Sequence, residues 1–280
     1  MHTYLRWVAP VLGGLTISCL MISNTARSQT IFFDDFSGSK LDRSKWNVEI
    51  TGTTNNHEQQ AYVDSSSTIY IDNGILVIQP RYTPGFKTPE GKTFDFISGR
   101  INTRKKLEFT YGEISAKIRL TEGAGLWPAW WLLGNGSWPD AGEIDIMEYI
   151  GESDWASSAV HGPGYSGETP FVNRHYFPGN NDVTHWHIYA VDWTPDSLIF
   201  KYDGIPMFRV TRSMVEHYGK WAYDNPEFLV LNFALGGGYP VKINGVKSPY
   251  FGLPASTVDA IKKGQCKLMV DWVKVVKKGA

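Results

Sequence analysis

The segment Gly142-Glu143-Ile144-Asp145-Ile146-Met147-Glu148 constrains this chain more than any other. Its carboxylates are separated only by apolar residues. A β-strand sends alternate side chains to opposite faces, so Glu143 and Asp145 share one face while Ile144 and Ile146 turn to the other. Strict alternation would bury Glu148 with the isoleucines. One extra residue near Met147, a β-bulge, returns it to the face of the other acids, and bulges re-aim side chains in this way beside active sites. The segment therefore calls for a strand within a sheet that has one apolar face and one open face. Neighbouring carboxylates repel, so at least one is expected to hold a proton near neutral pH. An ionised and a protonated carboxyl, suitably spaced, hydrolyse a glycosidic bond with retention.

Acids on a strand also suit a solvated face or, as three oxygen-bearing groups, a calcium site. Ile144, Ile146 and Met147 favour a central strand, where stacked acids are costly without a use. Trp127, Trp130, Trp131 and Trp138 lie just upstream, and rings beside carboxylates suit a sugar cleft. Trp127 and Trp131 have the same strand parity and are expected to face that cleft. The catalytic reading is favoured.

The rest of the chain reads as strand. Thr68-Ile69-Tyr70-Ile71 and Ile75-Leu76-Val77-Ile78 flank Asn73-Gly74, a hairpin turn. Residues 111–120 alternate, three strands are expected between 187 and 210, and a last one over 267–276. Short helices are expected at 213–217 and 256–262. Without a βαβ rhythm, the class is all-β: a two-sheet antiparallel sandwich. A net charge of −1 and no basic block argue against a nucleic-acid partner.

At the start, Arg6 precedes an apolar run from Trp7 to Ile22 and then Asn24-Thr25-Ala26-Arg27-Ser28, the layout of a secretory signal peptide. The run is short for a membrane anchor and contains Pro10, Gly13 and Gly14. Residues 1–28 are expected to be the leader and 29–280 one catalytic domain, exported to the periplasm or the cell exterior, free of the membrane after cleavage and monomeric. Cys19 would leave with the leader. Cys266 is expected to be a buried core thiol.

The ordered motifs resemble those of family 16 glycoside hydrolases. Gly142-Glu143-Ile144-Asp145-Ile146-Met147-Glu148 is similar to the family signature in the form with the extra Met, typical of laminarinase-like endo-β-1,3-glucanases. Phe33-Asp34-Asp35-Phe36, Trp46-Asn47, Glu58-Gln59-Gln60-Ala61-Tyr62, Ser98-Gly99-Arg100-Ile101, Gly125-Leu126-Trp127-Pro128-Ala129-Trp130-Trp131, His161-Gly162-Pro163-Gly164 and Asn232-Phe233-Ala234-Leu235-Gly236-Gly237 follow in family order. The resemblance implies a β-jelly roll with a concave substrate cleft. It implies Glu143 as nucleophile, Glu148 as acid/base and Asp145 between them, with Asn47, Glu58, Arg100, Trp127, Trp131, Trp138, His161 and Asn232 lining the sugar site. No cofactor is expected for catalysis. A structural calcium at Asp35, the Gly74 carbonyl and Asp271 is also implied.

Two departures stand out. The family's Gly-Gly-x-Trp-Pro-Gly is Gly237-Gly238-Tyr239-Pro240-Val241 here, and its Asp-Glu-Phe is Asp34-Asp35-Phe36. The β-glucan partner implied by the resemblance is a β-1,3-glucan such as laminarin. A mixed-linkage glucan, a marine galactan, or glucan binding without catalysis are the alternatives, the last opposed by the intact glutamates.

Overall fold

The computed structural model describes Met1, residues 28–53 and residues 55–277, so residues 2–27 of the expected leader, Cys19 among them, lie outside the described residues. Strands follow in the order β1 (Gln29–Asp34), β2 (Asn47–Val48), β3 (Gln60–Tyr62), β4 (Ile69–Asp72), β5 (Ile75–Ile78), β6 (Arg81–Lys87), β7 (Thr93–Ser98), β8 (Arg100–Asn102), β9 (Gly112–Arg119) and β10 (Leu126–Gly134). Then come β11 (Glu143–Glu148), β12 (Trp155–His161), β13 (Phe171–Tyr176), β14 (His187–Trp193), β15 (Ser197–Tyr202), β16 (Ile205–Thr211), α1 (Arg212–Glu216), β17 (Glu227–Leu235), α2 (Gly238–Asn244), α3 (Ala255–Lys262) and β18 (Leu268–Lys277).

Two large antiparallel sheets result. One runs β16-β15-β14-β9-β18-β5-β4, with β1 added against β18; the other runs β13-β12-β11-β10-β17-β8-β2. A small third sheet, β3-β7-β6, includes the parallel pair β3–β7. The architecture is the expected β-jelly roll. Between the two large sheets, Ile114, Ala116 and Ile118 of β9 are fully buried, as are Trp130 and Leu132 of β10 and Ile144, Ile146 and Met147 of β11. This is the apolar interior that period-two patterning demands.

The Asn73-Gly74 hairpin, the three strands after 187 and the last strand form as expected, and helices occupy the two predicted places within a residue. Cys266 is buried and free. Helix α2 was not expected, because Gly238, Tyr239 and Pro240 are poor helix formers. Its geometry comes from its surroundings: Gly238 N–H donates to Asn56 O at 2.7 Å, and Asn244 Nδ2 donates to Gly252 O at 2.8 Å. Among the described residues, no helix is long and apolar enough to cross a membrane.

Candidate active site

Strand β11 is third from the β13 edge of the seven-stranded sheet, between β10 and β12, and its pairing departs from regularity at one place. Against β10, Trp130 pairs with Met147 but Trp131 pairs with Asp145, so Ile146 has no counterpart. Against β12, Asp145 pairs with Ala159 and Glu148 with Ser157, so Ile146 and Met147 together oppose Ser158. This is the bulge the sequence required. Both extra side chains point into the core at zero exposure, and the partly buried Glu148 emerges on the same face as Glu143.

Each glutamate is held by an indole. Trp138 Nε1 donates to Glu143 Oε2 at 2.9 Å, and Trp127 Nε1 donates to Glu148 Oε1 at 2.9 Å. His161 on β12 is the cross-strand partner of Glu143, and its Nε2 lies 3.3 Å from Asp145 Oδ2. Gly167 N–H donates to His161 Nδ1 at 3.2 Å. With Nδ1 accepting that bond, Nε2 is the ring nitrogen that presents its N–H toward Asp145.

All three acids are raised above the ordinary carboxylate range. Burial pushes Glu143 up to about 8, aided by the charge of Asp145 and opposed by His161 and the Trp138 N–H. Burial, then the Glu148 charge, holds Asp145 well above its usual value, against a hydrogen bond to Glu143. Glu148 is raised by burial and partly relieved by the Trp127 hydrogen bond. Burial and mutual repulsion thus keep protons within this acid row, and a proton on Asp145 hydrogen-bonded to Glu143 favours Glu143 as the ionised member of that pair.

The remaining expected sugar-site residues spread across the same face. Trp131 Nε1 donates to Asn232 Oδ1 at 2.7 Å, and Asn232 Nδ2 donates to the Tyr62 hydroxyl at 3.0 Å. The Arg100 guanidinium stacks on Trp131 at 4.9 Å while its Nε meets Glu49 Oε2 at 2.9 Å, a salt bridge that orients it. Glu58 accepts from Gln60 Nε2 at 2.8 Å, and burial raises its carboxyl. Asn47, at the β2 edge, donates to Asn102 Oδ1 at 3.0 Å and Arg104 O at 2.8 Å. From β11 outward, Trp131, Val230, Asn102 and Asn47 form one cross-strand row. Asn47 thus marks the far end of a floor that begins at the acids.

Residues 44–237 match the sequence profile of glycosyl hydrolases family 16. The chain belongs to that family. Glucan endo-1,3-beta-glucosidase A1 of Niallia circulans is 31% identical over 275 residues, covering 88% of this chain and 37% of that protein. The chain thus spans little more than a third of that relative's length. Beta-glucanase of Rhodothermus marinus is 31% identical over 251 residues, covering 81% and 84% of the two chains. The X-ray structure of endo-beta-1,3-glucanase from Pyrococcus furiosus superposes with a TM-score of 0.80 at 33% identity, over 90% of this chain and 95% of that one.

Against the family pattern, Tyr239 fills the place of the usual Trp. It lies at the start of α2 with its ring edge-on to Trp127 at 5.8 Å, so the departure still supplies an aromatic beside Glu148's indole partner. The calcium positions fare differently. Lys117 Nζ holds Asp271 Oδ2 at 2.7 Å, and exposed Asp35 turns its carboxylate onto the Ser37 amide. An ammonium already neutralises Asp271, so these residues as arranged do not fit a calcium ion. Among the described residues, Glu143, Asp145 and His161 do bring possible ligand atoms within 4.8 Å of one another. The contacts among them and to Trp138 account for that proximity.

One residue of this family 16 site was not legible in the sequence. Glu227 opens β17, fully buried, with both carboxylate oxygens unpartnered. Gly142, at φ 78°, lies so close that a Cβ there would sit 3.1 Å from Glu227 Oε1 and 2.9 Å from Ala222 O. No side chain fits, which is why glycine precedes Glu143. Burial, then the charges of Glu143 and Asp145, holds Glu227 well above the carboxylate range. The only sequence signal was an acid heading the otherwise apolar run Glu227-Phe228-Leu229-Val230-Leu231.

Proposed function

We propose that this chain is a secreted, retaining endo-β-1,3-glucanase that cuts internal bonds of glucans such as laminarin. The observation that carries the reading is the bulge in β11, which puts Glu143 and Glu148 on one face, each with an indole N–H on its carboxylate. Ionised Glu143 attacks the anomeric carbon as the glycosidic C–O bond breaks, and Glu148 gives its proton to the departing oxygen. Water then attacks the same carbon; Glu148 takes the water's proton and Glu143 leaves as carboxylate, so configuration is retained. Asp145, bearing a proton toward Glu143 and facing His161, keeps the nucleophile oriented and ionised. Trp127, Trp131, Trp138 and Tyr239 supply stacking surfaces. Asn47, Glu58, Arg100 and Asn232 supply polar contacts to sugar hydroxyls. The named relatives support a β-1,3-glucan as substrate, and the leader-like N-terminus supports secretion.

Digestion of a panel of polysaccharides tests the reading. Laminarin is expected to shorten early to small oligosaccharides, lichenan more slowly, and crystalline cellulose not at all. Release of glucose alone from chain ends, or a preference for agarose or lichenan, would overturn it.

A further inference from the structure

A bulge leaves backbone polar groups off the ladder, and a buried carbonyl without a donor is unfavourable. The carbonyl concerned here is that of Ile146, whose side chain is fully buried. Two side-chain hydroxyls lie within hydrogen-bond reach of it. Ser158 Oγ, on β12 directly opposite the bulge, donates to Ile146 O at 2.8 Å. The Tyr202 hydroxyl reaches across from β15 of the other large sheet, 3.3 Å from Ile146 O, 3.1 Å from Ser157 O and 3.2 Å from Ser158 Oγ. Ser158 and Tyr202 are 0% and 2% exposed, so no bulk water replaces either hydroxyl. Tyr202 has little freedom to swing away: its ring packs on Tyr189 at 4.6 Å, His175 at 5.2 Å and Phe177 at 6.0 Å.

In a regular strand Glu148 would turn inward by parity, whereas the bulged strand presents the Ile146 carbonyl to both hydroxyls. We infer that Ser158 and Tyr202 are positioning residues for Glu148: their hydroxyls clamp the bulge from the core side and hold the acid/base in the cleft. Glu148 is then fixed twice, through its backbone by this pair and through its carboxylate by Trp127. The inference rests on the assignment of Glu148 as acid/base.

The test compares two leaving groups. An aglycone sugar needs a proton from Glu148, whereas dinitrophenolate leaves without one. For Tyr202→Phe and for Ser158→Ala, kcat/KM on laminarin is expected to fall roughly 10- to 100-fold, the scale of a misplaced catalytic group. On dinitrophenyl β-laminaribioside it is expected to stay within about threefold of wild type, because general-acid assistance is not needed there. Near-UV circular dichroism establishes that each variant folds, and Tyr202→Phe, which leaves Ser158 on the carbonyl, serves if Ser158→Ala does not. Equal losses on the two substrates, or no loss on laminarin, would overturn the clamp. Glu148→Ala is the reference: a larger split of the same kind supports the assignment beneath the inference, and laminarin activity near wild type would sink that assignment instead.

Discussion

Strands β9 and β11 are both central and both bury isoleucines between the sheets, yet they differ in everything else. Strand β9 alternates without interruption. Its outward Lys117 is paired with Asp271 at 2.7 Å, and its pairing with β14 keeps one register from Ile118 to Gly112. Strand β11 carries acids whose proton affinities are all raised, and its register slips against both neighbours. Strand β9 obeys the period-two rule, and the register shift beside it lies in β18, between Val270 and Trp272. A strand that has to do chemistry breaks the rule at one residue and leaves carboxyls competing for protons. The breach is affordable because the surrounding sheet over-determines the position.

The largest expected effect breaks the comparison at its centre. Glu143→Ala should lower hydrolysis of laminarin by on the order of 10³-fold or more. With an activated aryl glucoside, added azide should restore turnover and give a product of inverted configuration. Lys117→Ala on β9 should leave kcat within about twofold and cost at most ~1 kcal/mol, as for other solvent-reaching ion pairs. Residual activity of more than a few per cent in the Glu143 variant would remove it as nucleophile.

A second pair separates packing from aim. Ile118 and Ile144 are equally buried, so Ile118→Ala and Ile144→Ala should each cost about 2–5 kcal/mol in chemical denaturation. Only Ile144→Ala should also reduce kcat at a temperature where both variants remain folded. Equal activities would show that β11 tolerates a cavity behind the acids.

The smallest effect concerns the buried acid behind Gly142. The unfolded Glu227 carboxyl ionises near 4.5, whereas the folded one holds its proton to well above that. Above pH 4.5 the folded state therefore binds more protons than the unfolded, and wild-type stability falls as pH rises toward the folded value. Glu227→Gln does not titrate. Its gain over wild type should be near zero at pH 4 and reach about 1–3 kcal/mol by pH 8, read as the difference in Tm across that range. A gain that is the same at both ends would show that Glu227 does not titrate with the cluster.

Much of this was legible in the chain. Alternation set β9, Asn73-Gly74 set a hairpin, and the parity of Glu148 called for the bulge. The motif order carried Trp127, Trp131, Trp138 and His161 to the cleft. Helix α2 was hidden because its residues have no helical preference and take their shape from Asn56 and Gly252. Glu227 was hidden because an acid at a strand start usually faces water, and only the packing of β17 against Gly142 shows that it does not.

By itself, then, the sequence determined the face on which each acid lies, since side-chain parity is a local property of the backbone. It also determined that a bulge was needed and roughly where. Tertiary structure alone decided what holds that bulge and how the protons are shared. Tyr202 lies 56 residues from Ile146 along the chain, and Glu227 lies far from Glu143 on another strand. Proton affinities depend on burial and on charges across strands, quantities that come into being only when the sheets close on one another.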